Sequence, residues 1–138
     1  MGYYHEVLLE MTPKAYEKFI EALKRFQDAD PKTVDELIRW SHVSKCGKGK
    51  YVREQHMCLT LDDVGWDTAI PYCCFLMDFM HDIDAMEHED YGVHFARIGE
   101  NLDDMEDQMY GYMDYQVNIE RSFEYDYEPE IRDGTLCL

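Results

Sequence analysis

The chain has 138 residues, and its 30 Asp and Glu against 13 Lys and Arg give a formal net charge of −17 at pH 7. This length suits one domain, and a content of 46% hydrophobic and 14% aromatic residues is too high for a disordered acidic chain. No apolar run approaches the roughly 18–20 residues of a membrane-spanning helix. The composition predicts a folded domain and argues against a membrane partner or direct nucleic-acid binding, which needs a basic patch.

The negative charge is confined to one part of the chain. Residues 1–57 have a formal charge of +1, whereas residues 58–138 have a formal charge of −18. A charge that served solubility alone would be spread over the whole surface. The asymmetry therefore favours one charged face on a neutral scaffold, and such a face is typical of a protein that binds a basic partner.

The predicted elements begin with a strand over residues 3–10. Thr12 and Pro13 then predict the start of a helix, because Thr is a good N-cap and Pro suits the first helical position. An apolar stripe at three- and four-residue steps continues this helix, and its members are Tyr16, Phe19, Ile20, Leu23 and Phe26. Asp30 and Pro31 repeat the start signal for a short second helix, in which Thr33 and Glu36 could form a capping box.

The remainder of the chain alternates between strands and one further helix. We expect a basic loop over residues 44–50, a strand over 51–61, a turn over 62–67 and a helix over 69–86 capped by Thr68. A strand over 91–98 and an acidic connection over 100–111 follow. The strict period-two alternation of residues 115–127 predicts one half-buried strand.

These elements predict the α+β class, in the order β-α-α-β-α-β-β. The expected architecture is a three- to four-stranded, mainly antiparallel sheet with helices packed on one face and the other face wet and acidic. Residues 1–128 would form a single domain, and residues 129–138 a polar tail.

Catalytic motifs are missing from the sequence, so we predict neither an enzyme nor a cofactor. His81, His88 and His94 lie among several acidic residues, and imidazole with carboxylate suits zinc or manganese. His81 and Asp82 fall on the exposed face of a predicted helix, where a run of charge is usually a solvated surface, so a metal-binding protein is only a lesser alternative. Five cysteines without a Cys-x-x-Cys pattern, and no export signal at the start of the chain, predict reduced thiols and a cytoplasmic location.

Carboxylates are the strongest feature of the sequence. One cluster lies in the acidic connection, and a second lies on the outward face of the predicted last strand, where same-face residues are about 6.6–6.8 Å apart. Such an array can imitate phosphates, and neighbouring tyrosines are candidate aromatic anchors. The predicted partner-binding residues are Asp103, Asp104, Glu106, Asp107, Glu120, Glu124, Asp126, Tyr110, Tyr112 and Tyr127.

The segments Val64-Gly65-Trp66, Arg97-Ile98-Gly99-Glu100 and Asp103-Asp104-Met105-Glu106, followed by an acidic and aromatic final strand, resemble small acidic proteins of phages and prophages. The resemblance covers roughly residues 59–126 and implies no catalytic residue. In size and charge, the chain is also similar to anti-restriction and anti-CRISPR inhibitors that mimic DNA.

The sequence therefore predicts a phage-type inhibitor in the cytoplasm of an infected bacterium. Its acidic face would occupy the basic groove of a nucleic-acid-binding defence protein, such as a CRISPR–Cas effector or a restriction enzyme. The main alternative is a structural or assembly protein that forms a homodimer through an exposed sheet edge or through the tyrosine-rich strand.

Overall fold

A computed structural model describes residues 4–45, 56–101 and 103–112 with their side chains, and the backbone alone of Cys46 and of three short later strands. The described residues form three helices and eight strands. Their bounds are β1 His5–Met11, α1 Pro13–Ala29, α2 Pro31–Trp40, β2 Ser41–Cys46, β3 His56–Val64, α3 Pro71–Met86, β4 Gly92–Gly99, β5 Met105–Gly111, β6 Val117–Ile119, β7 Phe123–Tyr125 and β8 Glu130–Ile131.

The main sheet is antiparallel and has the order β5-β4-β1-β3-β2-β8. The α+β class is thus confirmed, although the described strands outnumber the three or four predicted. Two of the extra strands, β2 and β5, lie where the sequence predicted connections. Neither has a clean apolar alternation, because β2 is short and the exposed residues of β5 include both polar side chains and methionines.

The helices cover one face of the sheet. On the central strand β1, Val7, Leu9 and Met11 belong to the core shared with the helices, and all three are fully buried. The opposite face was expected to be wet and acidic, but Leu8 and Glu10 on that face are also fully buried. The prediction of a solvated second face is therefore wrong for the centre of the sheet.

Local hydrogen bonds explain where the first two helices begin. The Thr12 hydroxyl accepts from the backbone N–H of Ala15, as predicted for an N-cap, and also from the N–H of Gly92 on β4. The second helix starts at Asp30, whose carboxylate accepts from the backbone N–H and the hydroxyl of Thr33. Asp30, and not Thr33, is therefore the cap of α2.

Helix α3 begins two residues later than predicted. Its N-cap is Ile70, which makes no side-chain cap hydrogen bond, so Thr68 does not serve as the cap. The helix packs against α1 through aromatic contacts, with the Phe19 and Phe79 ring centroids 5.1 Å apart and those of Phe26 and Phe75 4.9 Å apart. Within the described part of the chain, no helix is long and apolar enough to cross a membrane.

The C-terminal strands differ from the single strand predicted over residues 115–127. β6 pairs with β7 in an antiparallel hairpin in which Ile119 lies opposite Phe123, so the chain reverses between them and the predicted continuous strand is wrong. Alternation alone does not reveal such a reversal. β8 lies within the predicted polar tail, and its backbone pairs with β2.

Gly111 ends β5 with a left-handed backbone, at φ 76°. A Cβ atom there would lie 2.3 Å from the carbonyl oxygen of Tyr91. We expect Gly111→Ala to lower the free energy of unfolding by about 2–3 kcal/mol, measured by chemical denaturation. Gly65→Ala is the control, since its Cβ would meet the flexible end of Ile70 at 3.2 Å and the Tyr72 hydroxyl at an ordinary 3.8 Å. Equal losses in both variants would contradict this account.

Candidate functional site: an acidic surface on α3

The segment that contains α3 is acidic throughout. Residues 56–96 hold nine Asp or Glu and no Lys or Arg. Two of these acids connect α3 and the loop after it to other elements: the Asp84 carboxylate accepts from the backbone N–H of Gly111 at 2.9 Å, and Asp90 pairs with Lys14 at 3.0 Å. The first contact ties the end of β5 to α3, and the second ties the loop after α3 to α1.

Four further acids of α3 and the loop that follows it have exposed side chains. We call them the α3 acidic surface; they are Asp78, Asp82, Glu87 and Glu89. Asp78 and Asp82 are one helical turn apart and therefore lie on the same side of the helix. The sequence predicts an ordinary solvated helix face here, and the structure favours this surface because three of the acids predicted as contacts pair with side chains of β4.

Three of the four acids predicted on the acidic connection interact with side chains of β4. Arg97 contacts Asp104 at 2.9 Å and Glu106 at 2.7 Å, and His94 Nε2 lies 2.5 Å from an Asp107 carboxylate oxygen. These pairings neutralise much of the charge that a partner would meet there. Asp103 is exposed in the turn between β4 and β5.

The remaining predicted contacts divide into two groups. Tyr112 is 54% exposed and stays available as an aromatic anchor, whereas Tyr110 is only 7% exposed, and its hydroxyl donates to Gln108 at 2.6 Å. Burial therefore removes most of the Tyr110 ring from the accessible surface. The side chains of the other four lie outside the described residues: Glu120, Glu124, Asp126 and Tyr127.

A buried polar cluster occupies the sheet face opposite the helices. Glu10 is fully buried between two histidines, with its carboxylate oxygens 2.6 Å from His56 Nδ1 and 3.6 Å from His94 Nδ1. Because a carboxylate only accepts, His56 carries a proton on Nδ1. Burial by itself would lower the pKa of His94, but its contacts with Glu10 and Asp107 outweigh that effect and hold the pKa above its ordinary value.

A second cluster surrounds Arg97 at one end of β4. A guanidinium N–H donates to His5 Nδ1 at 2.9 Å, so this histidine is neutral and carries its proton on Nε2. Burial and the neighbouring Arg97 charge lower the pKa of His5. In both clusters, a histidine contact joins β1 to β4: His94 contacts Glu10 in the first, and His5 contacts Arg97 in the second.

The three histidines considered for metal binding are not arranged as one site. His81 packs edge-on against Tyr110, His88 packs against Tyr91, and His94 lies in the buried cluster described above. Among the described residues, no group of three or more His, Cys, Asp or Glu could hold a metal ion.

The described cysteines differ in oxidation state. Cys73 and Cys74 are free thiols, as predicted, but Cys58 is disulfide-bonded. The prediction of five reduced thiols is therefore wrong for Cys58. Burial raises the pKa of the Cys73 thiol to about 11, which keeps it protonated and unreactive near neutral pH.

No protein-family model, curated protein or solved structure matches the chain.

Proposed function

We propose that this protein is an inhibitor that binds a basic, nucleic-acid-binding partner through the α3 acidic surface. The observation that carries the proposal is the run of residues 56–96, which exposes carboxylates on α3 and its flanking loops without one Lys or Arg among them. The proposed partner is a bacterial defence protein, either a CRISPR–Cas effector or a restriction enzyme, and the proposed setting is the cytoplasm of a phage-infected cell.

Helix α3 is a suitable platform for such a surface. It is anchored on its inner side by six buried residues, among them Leu76, Met80 and Ile83, so the outward carboxylates need little reordering when a partner binds. A rigid surface of one sign attracts an oppositely charged groove over several ångströms and accelerates association at low ionic strength. This mechanism requires charge complementarity and no catalytic group.

The test is a charge reversal with a matched control. We expect the triple change of Asp78, Asp82 and Glu89 to Lys to abolish inhibition of DNA cleavage by purified CRISPR–Cas effectors and restriction endonucleases. The same reversal of Glu17, Glu21 and Asp35, which are exposed on α1 and α2, alters the net charge equally and should preserve inhibition.

Ionic strength and assembly state provide the remaining readouts. Inhibition by the unchanged protein should weaken as salt is added, because screening shortens the reach of surface charges. If no cleavage reaction is inhibited, or if both triple variants inhibit equally well, the proposal is wrong. Light scattering on the same samples addresses the alternative of a homo-oligomer.

A further inference from the structure

A groove of about 500 Å³ runs between α1 and α3. Its lining is mainly apolar: Ala22, Phe26 and Ala29 come from α1, and Phe75 and Phe79 come from α3. The volume lies within the range of roughly 300–1,000 Å³ that is usual for binding sites. Within this lining, the rings of Phe26 and Phe75 are stacked, with their centroids 4.9 Å apart.

The shape of this groove matches a helix in length. Its lining residues on α3 extend from Pro71 to Asp82, which corresponds to about 16 Å of helix at 1.5 Å per residue. On α1 the lining extends from Ala22 to Ala29, which is about 10 Å, so a second helix would contact α3 over three turns and α1 over two. Grooves of this kind bind amphipathic helices through apolar side chains at i, i+3, i+4 and i+7.

The charges along the groove select among such helices. Asp78 and Asp82 stand on the α3 side, where they also belong to the α3 acidic surface, and Arg25 stands on the α1 side. A helix with an apolar stripe and Lys or Arg on one flank would place its cations against the two carboxylates. An acidic helix would be repelled by the same two carboxylates.

We propose that the groove between α1 and α3 binds one basic amphipathic helix of the partner protein. This inference rests on the proposed function and deepens it, because it assigns the apolar anchor that complements the acidic surface. The apolar stripe covers Phe26 and Phe75, and the basic flank contacts Asp78 and Asp82. One contact thus combines the burial of apolar surface with the pairing of opposite charges. Protein interfaces owe most of their affinity to a few central residues of this kind.

The probe is a fluorescein-labelled synthetic helix of about 14 residues, with Leu in an i, i+3, i+4, i+7 pattern and Lys on one flank. Binding is measured by fluorescence anisotropy. Two control peptides replace Leu by Ser or Lys by Glu, and neither should bind. Tight binding of the Glu peptide, or equal binding of the Ser peptide, would overturn the proposal.

Variants of the protein locate the peptide. Ala29→Trp fills the groove from an exposed position without altering any charge, and it should abolish binding. Glu21→Trp on the same helix lies outside the lining and should leave binding unchanged. Asp78→Asn with Asp82→Asn should weaken binding about tenfold. If Ala29→Trp binds the peptide as well as the unchanged protein does, the groove is not the site.

Cys74 offers a second measurement, because its exposed thiol lines the groove. Bound peptide should slow alkylation of this thiol, identified by comparison with Cys74→Ser, and an unchanged rate would contradict occupancy of the groove. The two proposals fail separately. Loss of nuclease inhibition on charge reversal, together with full inhibition by Ala29→Trp, would support the acidic surface and reject the groove.

Discussion

Replacement of Glu10 by glutamine is expected to lower the free energy of unfolding by about 3–5 kcal/mol. Glu10 is fully buried and lies between His56 and His94. An amide of the same size keeps the packing but removes the negative charge from beside two imidazoles. The pKa of His94 is raised by Glu10 and Asp107. In the variant, Asp107 is the one carboxylate of this pair that still contacts His94. Chemical denaturation measures the loss.

The control for this change is Glu17→Gln, at an exposed position on α1, which should alter stability by less than about 0.5 kcal/mol. The pH dependence provides a further check. Because the pKa of His94 is raised in the folded state, its protonation stabilises the fold below the unfolded value of about 6.5, and this contribution is lost as pH rises through the folded pKa. Glu10→Gln should diminish that alkaline loss. A variant that keeps both wild-type stability and its pH profile would refute the cluster's role.

Arg97→Met is expected to have the second-largest effect, a loss of about 2–4 kcal/mol in the free energy of unfolding. The Arg97 side chain is 10% exposed and joins Asp104, Glu106 and His5. Methionine fills similar space, but it leaves two neighbouring carboxylates without their shared cation. Hydrogen exchange should become faster first in the amides that pair β4 with β5.

A matched comparison separates this buried ion pair from an exposed one. Lys14→Met removes the partner of Asp90, where both side chains are about half exposed. Exposed pairs contribute roughly 0–1 kcal/mol, so this variant should unfold almost as the unchanged protein does. If Arg97→Met and Lys14→Met destabilise equally, the burial of Arg97 has no special consequence. Arg97→Lys should recover part of the loss, because it restores the charge without the forked geometry.

The sequence predicted the helices better than the strands. The stripe from Tyr16 to Phe26 marks α1 because a helix that packs on a sheet must repeat its apolar residues every three or four positions. Strand β5 has no comparable signal, since Met105 and Met109 are 41% and 43% exposed and the three residues between them are polar. A strand at the edge of a sheet is held by its backbone pairing, which composition does not record.

The sequence predicted that the candidate site is acidic, but it did not indicate the acids of the α3 acidic surface. The excess of carboxylates beyond residue 57 is evident from a count, whereas the partners of these carboxylates are decided by how the strands pair. Arg97 pairs with Asp104 and Glu106 only because β4 and β5 form a hairpin in that register. Glu10 meets His94 only because β1 lies beside β4. Its place in the apolar run from Val7 to Met11 was the one signal that this carboxylate is buried.

The position of β5 has a consequence for colloidal behaviour. It is the outermost of the described strands on its side of the sheet, and an unpaired strand edge is a template for edge-to-edge aggregation. A second copy aligned antiparallel about Asp107 would bring two carboxylates face to face, and like charges at that position are destabilising. The acidity of this strand thus opposes edge-to-edge pairing between two copies of the protein. That protection should weaken as the solution approaches the isoelectric point of about 4.5, where precipitation through this edge becomes the dominant hazard in handling the protein.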